Sequence, residues 1–368
     1  MAQLWIDISD IYDLTGKFTG VSRVVYKVAA HLTSTHTNVR LFTYCGDSKS
    51  FKSVVFEIEE NEFSRFVKTE KCSWSKEDTV LFLGGMWNDP NEIEVLRLEK
   101  EKCKFKQIIF IHDIIPWSAP QYTRPNLENL FKLWLNKAVK FTDHIFVNSD
   151  ATKSDVEKFL SENSLAIPTS LIPLAADEPE IKDTLVSEEK YILMVGTVQP
   201  RKNYQLLYQA LKKLVIEGRL ENVKVKLAGA LGWESGPIVS LFKRDPDLSD
   251  VVEVLGPIDD STLGQLYQNC LFTVYPSLYE GWGLPVSESL AYGKHCITSK
   301  GTSMEEIAPE LTVNIDPFDA SEFARAILQG LDSNFRIERE ERIRREFKSR
   351  TWGDCVEDIE RNLLEVGH

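Results

Sequence analysis

A chain of 368 residues, 43% of them hydrophobic, is longer than one core usually serves, and it predicts two globular domains of about 150 to 200 residues each. The formal net charge of −13 excludes a protein whose main task is to coat nucleic acid or an anionic membrane, so no nucleic-acid partner is expected. The cysteines Cys45, Cys72, Cys103, Cys270, Cys296 and Cys355 form no C-x-x-C pair, which removes the usual zinc and dithiol patterns.

In chain order, apolar runs at 4–8, 38–44, 79–83, 107–112 and 144–148 read as buried strands, and amphipathic stretches at 21–32, 127–141 and 151–160 as helices. A polar, acidic, proline-bearing segment at 175–190 reads as a linker. A second series follows, with strands at 191–195, 223–228, 251–255, 271–275 and 295–299 and helices at 204–217, 261–268 and 285–292. The last segment, 351–366, has helical spacing of Trp352, Val356, Ile359 and Leu363. Strands alternating with helices imply an α/β chain of two doubly wound units, and ligands of such sheets bind beyond the carboxyl ends of the strands. No run approaches the roughly 18 to 20 apolar residues of a bilayer span, and the N-terminus lacks a basic region followed by an apolar stretch. A cytoplasmic protein is therefore expected.

Four segments could carry chemistry. Tyr279-Glu-Gly-Trp-Gly-Leu-Pro-Val-Ser-Glu288 reads as a glycine loop opening a helix. The amides of Gly283, Leu284 and Val286 there suit a phosphate. Glu280 and Glu288 can accept hydrogen bonds from sugar hydroxyls; alternatively, Glu288 complements the helix dipole and Glu280 is a solvated loop residue. In Gly196-Thr-Val-Gln-Pro-Arg-Lys-Asn203, the cations Arg201 and Lys202 stand where a helix begins, which is unfavourable unless an anion such as a diphosphate is gripped there. A solvated basic turn is the other reading. Gly16-Lys-Phe-Thr-Gly-Val-Ser-Arg23 is a further glycine loop before a helix, and alone it means little more than a turn. Finally, an apolar strand ends in His112 and Asp113, which are either a sugar-hydroxyl contact or a core histidine satisfied by its neighbour. Neither G-x-G-x-x-G nor G-x-x-x-x-G-K-[ST] occurs, so nicotinamide and ATP readings fare worse.

Taken together, these segments resemble the retaining GT-B glycosyltransferases of family four, best seen in bacterial mannosyltransferases of surface polysaccharides. The resemblance spans nearly the whole chain. Gly196–Asn203 is similar to the family's first donor-domain loop, and Tyr275-Pro-Ser-Leu-Tyr-Glu-Gly-Trp-Gly-Leu-Pro-Val-Ser-Glu288 to its E-x7-E signature. The segments 255–267, 303–308 and 315–317 flank that signature in family order, while 6–9, 19–23, 112–116 and 142–149 resemble the acceptor-domain blocks.

The resemblance implies a GT-B fold with an acceptor-binding domain at 1–174, a donor domain at 191–345, and a C-terminal helix at 346–368 crossing back to the first domain. It implies that Arg201 and Lys202 hold a diphosphate, Glu288 the ribose and Glu280 the transferred sugar, with Gly196, Thr197, Gly281, Trp282, Gly283, Leu284 and Pro285 around the donor. Main-chain groups near Ile258 would meet the base, Gly20 would close over the donor, and His112 would sit near the sugar's C6 hydroxyl. The implied substrates are a nucleotide sugar, GDP-mannose ahead of UDP-linked sugars, and a saccharide acceptor, lipid-linked rather than free. The implied reaction requires no metal or other cofactor. Two departures stand out: Thr197 where many members carry arginine, and Pro309 in place of the usual glycine.

Residues 1–175 carry 21 Lys+Arg against 23 Asp+Glu, and residues 176–368 carry 22 against 33. The near-neutral first half leaves room for a basic patch against lipid. The segment 131–141, with Lys132, Lys137 and Lys140 among large apolar groups, is the candidate for peripheral contact with the inner face of a membrane, although its apolar face reads first as core.

Overall fold

The computed structural model describes residues 2–12, 20–59, 62–85, 90–177, 179 and 189–366. It divides into two units, 1–174 with 352–368 and 175–351. Most of the segment read as a linker, and the glycine loop at 16–19, lie outside the described residues.

The first unit is built on an eight-stranded sheet. Its strands are β1 (Leu4–Asp7), β2 (Val39–Cys45), β3 (Ser50–Glu59), β4 (Glu62–Lys71), β5 (Thr79–Phe82), β6 (Lys106–Ile111), β7 (His144–Val147) and β8 (Thr169–Leu171), in the order β4-β3-β2-β1-β5-β6-β7-β8. Strands β1, β2 and β5 to β8 run parallel, and the apolar runs of β1, β5, β6 and β7 are buried while β8 is half-buried. The pairs β2·β3 and β3·β4 are antiparallel. This hairpin departs from the all-parallel sheet that the sequence suggested.

The helices of this unit are α1 (Ser9–Tyr12), α2 (Val21–Thr35), α3 (Pro90–Cys103), α4 (Ile115–Ser118), α5 (Leu127–Ala138) and α6 (Asp150–Glu162). Ser149 caps α6 by accepting from the Thr152 amide. Phe131, Leu135 and Ala138 of α5 are buried in the core beneath the sheet, as its spacing required, while Leu130 and Leu133 are exposed.

The second unit has six parallel strands, β9 (Lys190–Val195), β10 (Val223–Ala228), β11 (Val252–Gly256), β12 (Phe272–Tyr275), β13 (Cys296–Ser299) and β14 (Val313–Ile315), in the order β11-β10-β9-β12-β13-β14. Its helices are α7 (Tyr204–Ile216), α8 (Ser235–Lys243), α9 (Asp260–Asn269), α10 (Leu284–Ala291), α11 (Met304–Ile307), α12 (Ala320–Leu331) and α13 (Ser333–Glu346). Along α7 the buried residues Leu207, Ala210, Leu211 and Leu214 recur at helical spacing and pack with Phe272, Phe323 and Ile327 in one core. The order reverses between β9 and β12, so the loops after these strands meet at the sheet's carboxyl edge. The last helix, α14 (Trp352–Val366), belongs with the first unit and packs on α2. No helix among the described residues is long and apolar enough to cross a membrane.

Candidate active site

The loops after β9 and β12 bring together three of the residues singled out from the sequence. After β9 the chain passes Gly196 and Thr197, turns through a single 3-10 turn at Pro200–Lys202, and enters α7 through Asn203 in the left-handed conformation. Arg201 and Lys202 therefore lie in the turn before α7 rather than in its first helical turn. Neighbouring segments help hold this turn. The Leu278 amide donates to the Arg201 carbonyl at 2.9 Å, and the Asn203 side-chain amide to the Pro317 carbonyl at 2.8 Å. Gly229, at the end of β10, permits the approach beside it: a Cβ there would lie 2.2 Å from the Gly196 oxygen.

From the loop after β12, Glu280 meets both cations. Its Oε2 accepts from Arg201 Nη1 at 2.6 Å and its Oε1 from Lys202 Nζ at 2.6 Å, while the same Arg201 nitrogen donates to the Tyr279 carbonyl. Glu280 is 8% exposed, and the Arg201 and Lys202 side chains 15% and 14%. This corrects the alternatives of a solvated loop carboxylate and a solvated basic turn. Burial pushes the Glu280 carboxyl up, but the adjacent Arg201 and Lys202 charges and hydrogen bonds together outweigh it and hold the group down at about 2. The triad of two cations and one carboxylate keeps a formal charge of +1. The anion that the cations called for is supplied in this structure by the chain itself.

Beyond Glu280 the backbone runs through Gly281 and Trp282 to Gly283, which opens α10 with Pro285 in its first turn. Gly283 has φ 121°, and a Cβ on it would stand 2.8 Å from Met304 Cγ. The buried Ser303 hydroxyl lies 2.9 Å from the Glu280 carbonyl and 3.0 Å from that of Trp282, and shares its one proton between them. Ser303 and Met304 thus buttress the loop. The Val286 amide donates to the Gly283 carbonyl at 2.8 Å, so it is spent inside the turn and is not the phosphate donor expected of it. The helix start offers the Gly283 and Leu284 amides instead.

The two carboxylates of the motif do not turn to a common partner. Glu288, 8% exposed, accepts at Oε2 from the Tyr267 hydroxyl of α9 at 2.8 Å. Ile258 turns its side chain into a cluster with Tyr191, Leu193 and Tyr267. Thr197 is half-buried, and its methyl group blocks a side chain at Gly232.

Gly20 and His112 belong to the first unit. Gly20 precedes α2 with φ 57° and ψ −126°. His112 follows β6, stacks on Phe110 at 4.6 Å between centroids, and its Nε2 lies 2.7 Å from the Leu83 carbonyl. Asp113 is not its partner, as it accepts from the Ile115 amide at 3.0 Å. Burial lowers the His112 pKa, which favours a neutral imidazole. No cluster of three or more His, Cys, Asp or Glu that could hold a metal ion occurs among the described residues.

Residues 177–350, nearly the whole second unit, match the family described as glycosyl transferases group 1. These residues belong to that family. The chain is similar to O-antigen chain mannosyltransferase B of Escherichia coli, 27% identical over 305 residues, which are 80% of this chain and 77% of that one. Its fold is that of the GT-B glycosyltransferases. Sucrose-phosphate synthase from Thermosynechococcus elongatus superposes with a TM-score of 0.72 at 18% identity, covering 100% of this chain and 99% of that one. Anabaena HepE in complex with UDP and glucose gives 0.68 at 14% identity, covering 99% and 100%.

Proposed function

We propose that this glycosyltransferase moves mannose from GDP-mannose onto a saccharide acceptor, lipid-linked, in the synthesis of a bacterial surface polysaccharide. The observation that carries the donor site is the buried triad of Arg201, Lys202 and Glu280 at the carboxyl edge of the second sheet, beside the start of α10. A triad of net positive charge next to a helix N-terminus suits a diphosphate. Mannose as the sugar is supported by the likeness to the O-antigen mannosyltransferase. A UDP-linked sugar is the second reading, favoured by the UDP held by HepE.

In this reading the diphosphate takes over Arg201 and Lys202, and Glu280, released from them, turns to the hydroxyls of the transferred sugar. The bond from the anomeric carbon to the leaving phosphate oxygen breaks while the acceptor hydroxyl attacks from the same face, and its proton passes to that phosphate oxygen. Catalysis then rests on stabilising the departing diphosphate, by the two cations and by the Gly283 and Leu284 amides. Gly196, Thr197, Gly281, Trp282 and Pro285 line the donor, Glu288 holds the ribose, and main-chain groups near Ile258 take the base. In the first unit, His112, as a neutral imidazole, and Gly20 are the candidates for contact with substrate. No divalent cation is needed, so protein treated with EDTA keeps its rate.

The experiment is incubation with labelled GDP-mannose, and in parallel UDP-glucose, together with lipid-linked saccharide from a polysaccharide-producing bacterium. Label transferred from GDP-mannose supports the proposal. Transfer only from the UDP sugar replaces the donor, and donor binding without transfer leaves a silent nucleotide-sugar binder. Peripheral contact with anionic lipid through α5 completes the proposal.

A further inference from the structure

Tyr267 lies 21 residues before Glu288 and on a different helix. The two side chains nevertheless meet in the interior of the second unit, 1% and 8% exposed. The phenol has one proton to give. Its oxygen stands 2.8 Å from Glu288 Oε2, against 3.4 Å from both the Tyr275 hydroxyl and the Pro285 carbonyl, so the proton goes to the carboxylate. Burial, then the charge of Glu288, raises the Tyr267 pKa well above its ordinary value, which keeps the phenol a donor.

The ring itself has little freedom. It stacks on Tyr292 with centroids 5.4 Å apart and planes 18° from parallel. Tyr292 is pressed in turn against Gly264 of α9, where a Cβ would lie 2.8 Å from its hydroxyl. The phenol oxygen is thus fixed by packing between α9 and α10, and it fixes Oε2.

We propose that Tyr267 is a positioning residue of the donor site, setting the plane of the Glu288 carboxylate so that it accepts from the ribose hydroxyls. This rests on the reading of Glu288 as the ribose contact. A carboxylate can accept from two adjacent hydroxyls only in a restricted range of rotation about its last bond, and a hydrogen bond to one oxygen restricts that rotation. The role lies in discriminating ribose from deoxyribose rather than in turnover.

The test is Tyr267→Phe, which keeps the stacked ring and removes the donor. Affinities of GDP, 2′-deoxy-GDP and 3′-deoxy-GDP, and of the uridine counterparts, are measured by titration calorimetry on the full chain. The unaltered protein is expected to prefer the ribonucleotide. In the variant, ribonucleotide affinity falls about 5- to 20-fold and deoxynucleotide affinity holds, so the preference collapses. A purely structural loss would weaken all of them alike and leave the ratio intact, which would overturn the proposal.

Equal affinities in the unaltered protein would instead remove the ribose reading of Glu288, a separate failure. If Tyr267→Phe folds poorly, Tyr267→4-aminophenylalanine keeps the ring with an N–H donor at the same reach and should keep the ratio. Glu288→Gln is the second arm. Adding Tyr267→Phe to it should change the ratio no further, and a full additive loss would argue against coupling.

Discussion

Glu280 carries one negative charge between two cations, so removing either cation leaves its carboxylate paired with the other. Arg201→Ala and Lys202→Ala should therefore fold, with modest losses in melting temperature. Turnover is another matter. If each cation contributes ~3 kcal/mol to the departing diphosphate, kcat falls about 100-fold or more in each variant. Steady-state kinetics with saturating donor checks this, and unchanged kcat in both variants would remove the assignment. The types and order of Arg201, Lys202, Glu280 and Glu288 were legible in the sequence because a glycine loop before a helix marks where anions bind. Their pairing was not, since 78 residues separate Lys202 from Glu280 and only the adjacency of β9 and β12 closes the gap. Tyr267 gave no signal either, because a tyrosine at the end of an amphipathic helix reads as core.

At the scale of elements, buried parallel strands announce themselves as apolar runs, and ten of them lie within a residue or two of the expected positions, whereas the short, half-buried strands β8 and β14 at the sheet ends were not anticipated. The hairpin β3·β4 escaped because its strands alternate Lys52, Ser53, Glu57, Lys68 and Glu70 with apolar residues on a half-exposed sheet edge. Helix α13 escaped because it is charged on most of its surface, with only Ile343 buried among its apolar residues. The turn into α10 makes a sharper test. Gly283→Ala must accept φ 121° and a Cβ 2.8 Å from Met304, a combined cost of about 2 to 4 kcal/mol. Thermal denaturation should show a clear loss, which Met304→Ala relieves only in part, since the backbone strain stays. A Gly283→Ala protein as stable as the parent would show that the loop is looser than its geometry.

Helix α5 carries a second element-scale prediction. Its buried face is accounted for by the core, whereas Leu130 and Leu133 are 53% and 54% exposed and Lys140 is exposed nearby. Leucines beside a lysine suit the surface of an anionic bilayer. The protein should co-float with phosphatidylglycerol-containing vesicles at low salt, and the pair Leu130→Ser with Leu133→Ser should weaken this. Absence of co-flotation at low salt would end the idea.

For the whole molecule, two units with separate cores respond differently to pH. In the second unit His295 is fully buried between Phe272 and Phe335, with neither ring nitrogen hydrogen-bonded. Burial, then the charges of Arg339 and Arg336, lowers its pKa to about 3. The unfolded chain therefore takes up a proton below the ordinary value near 6.5 that the folded unit refuses, and stability falls as pH drops through that window. From pH 7 to 5 the loss is about 2 kcal/mol. Glu280, held near 2, adds its own loss only below its ordinary 4.5. In the first unit the buried Asp7, pushed up to about 7, works the other way, keeping in the folded state a proton that the unfolded chain releases above its ordinary 3.8. Burial of His112 and His144 opposes that gain. Acidification to pH 5 should thus lower the second unit's calorimetric transition more than the first. The second transition is recognised as the one that a bound nucleoside diphosphate raises. His295→Leu should flatten its pH dependence between 7 and 5, and an unchanged slope in that variant would show that another group titrates there.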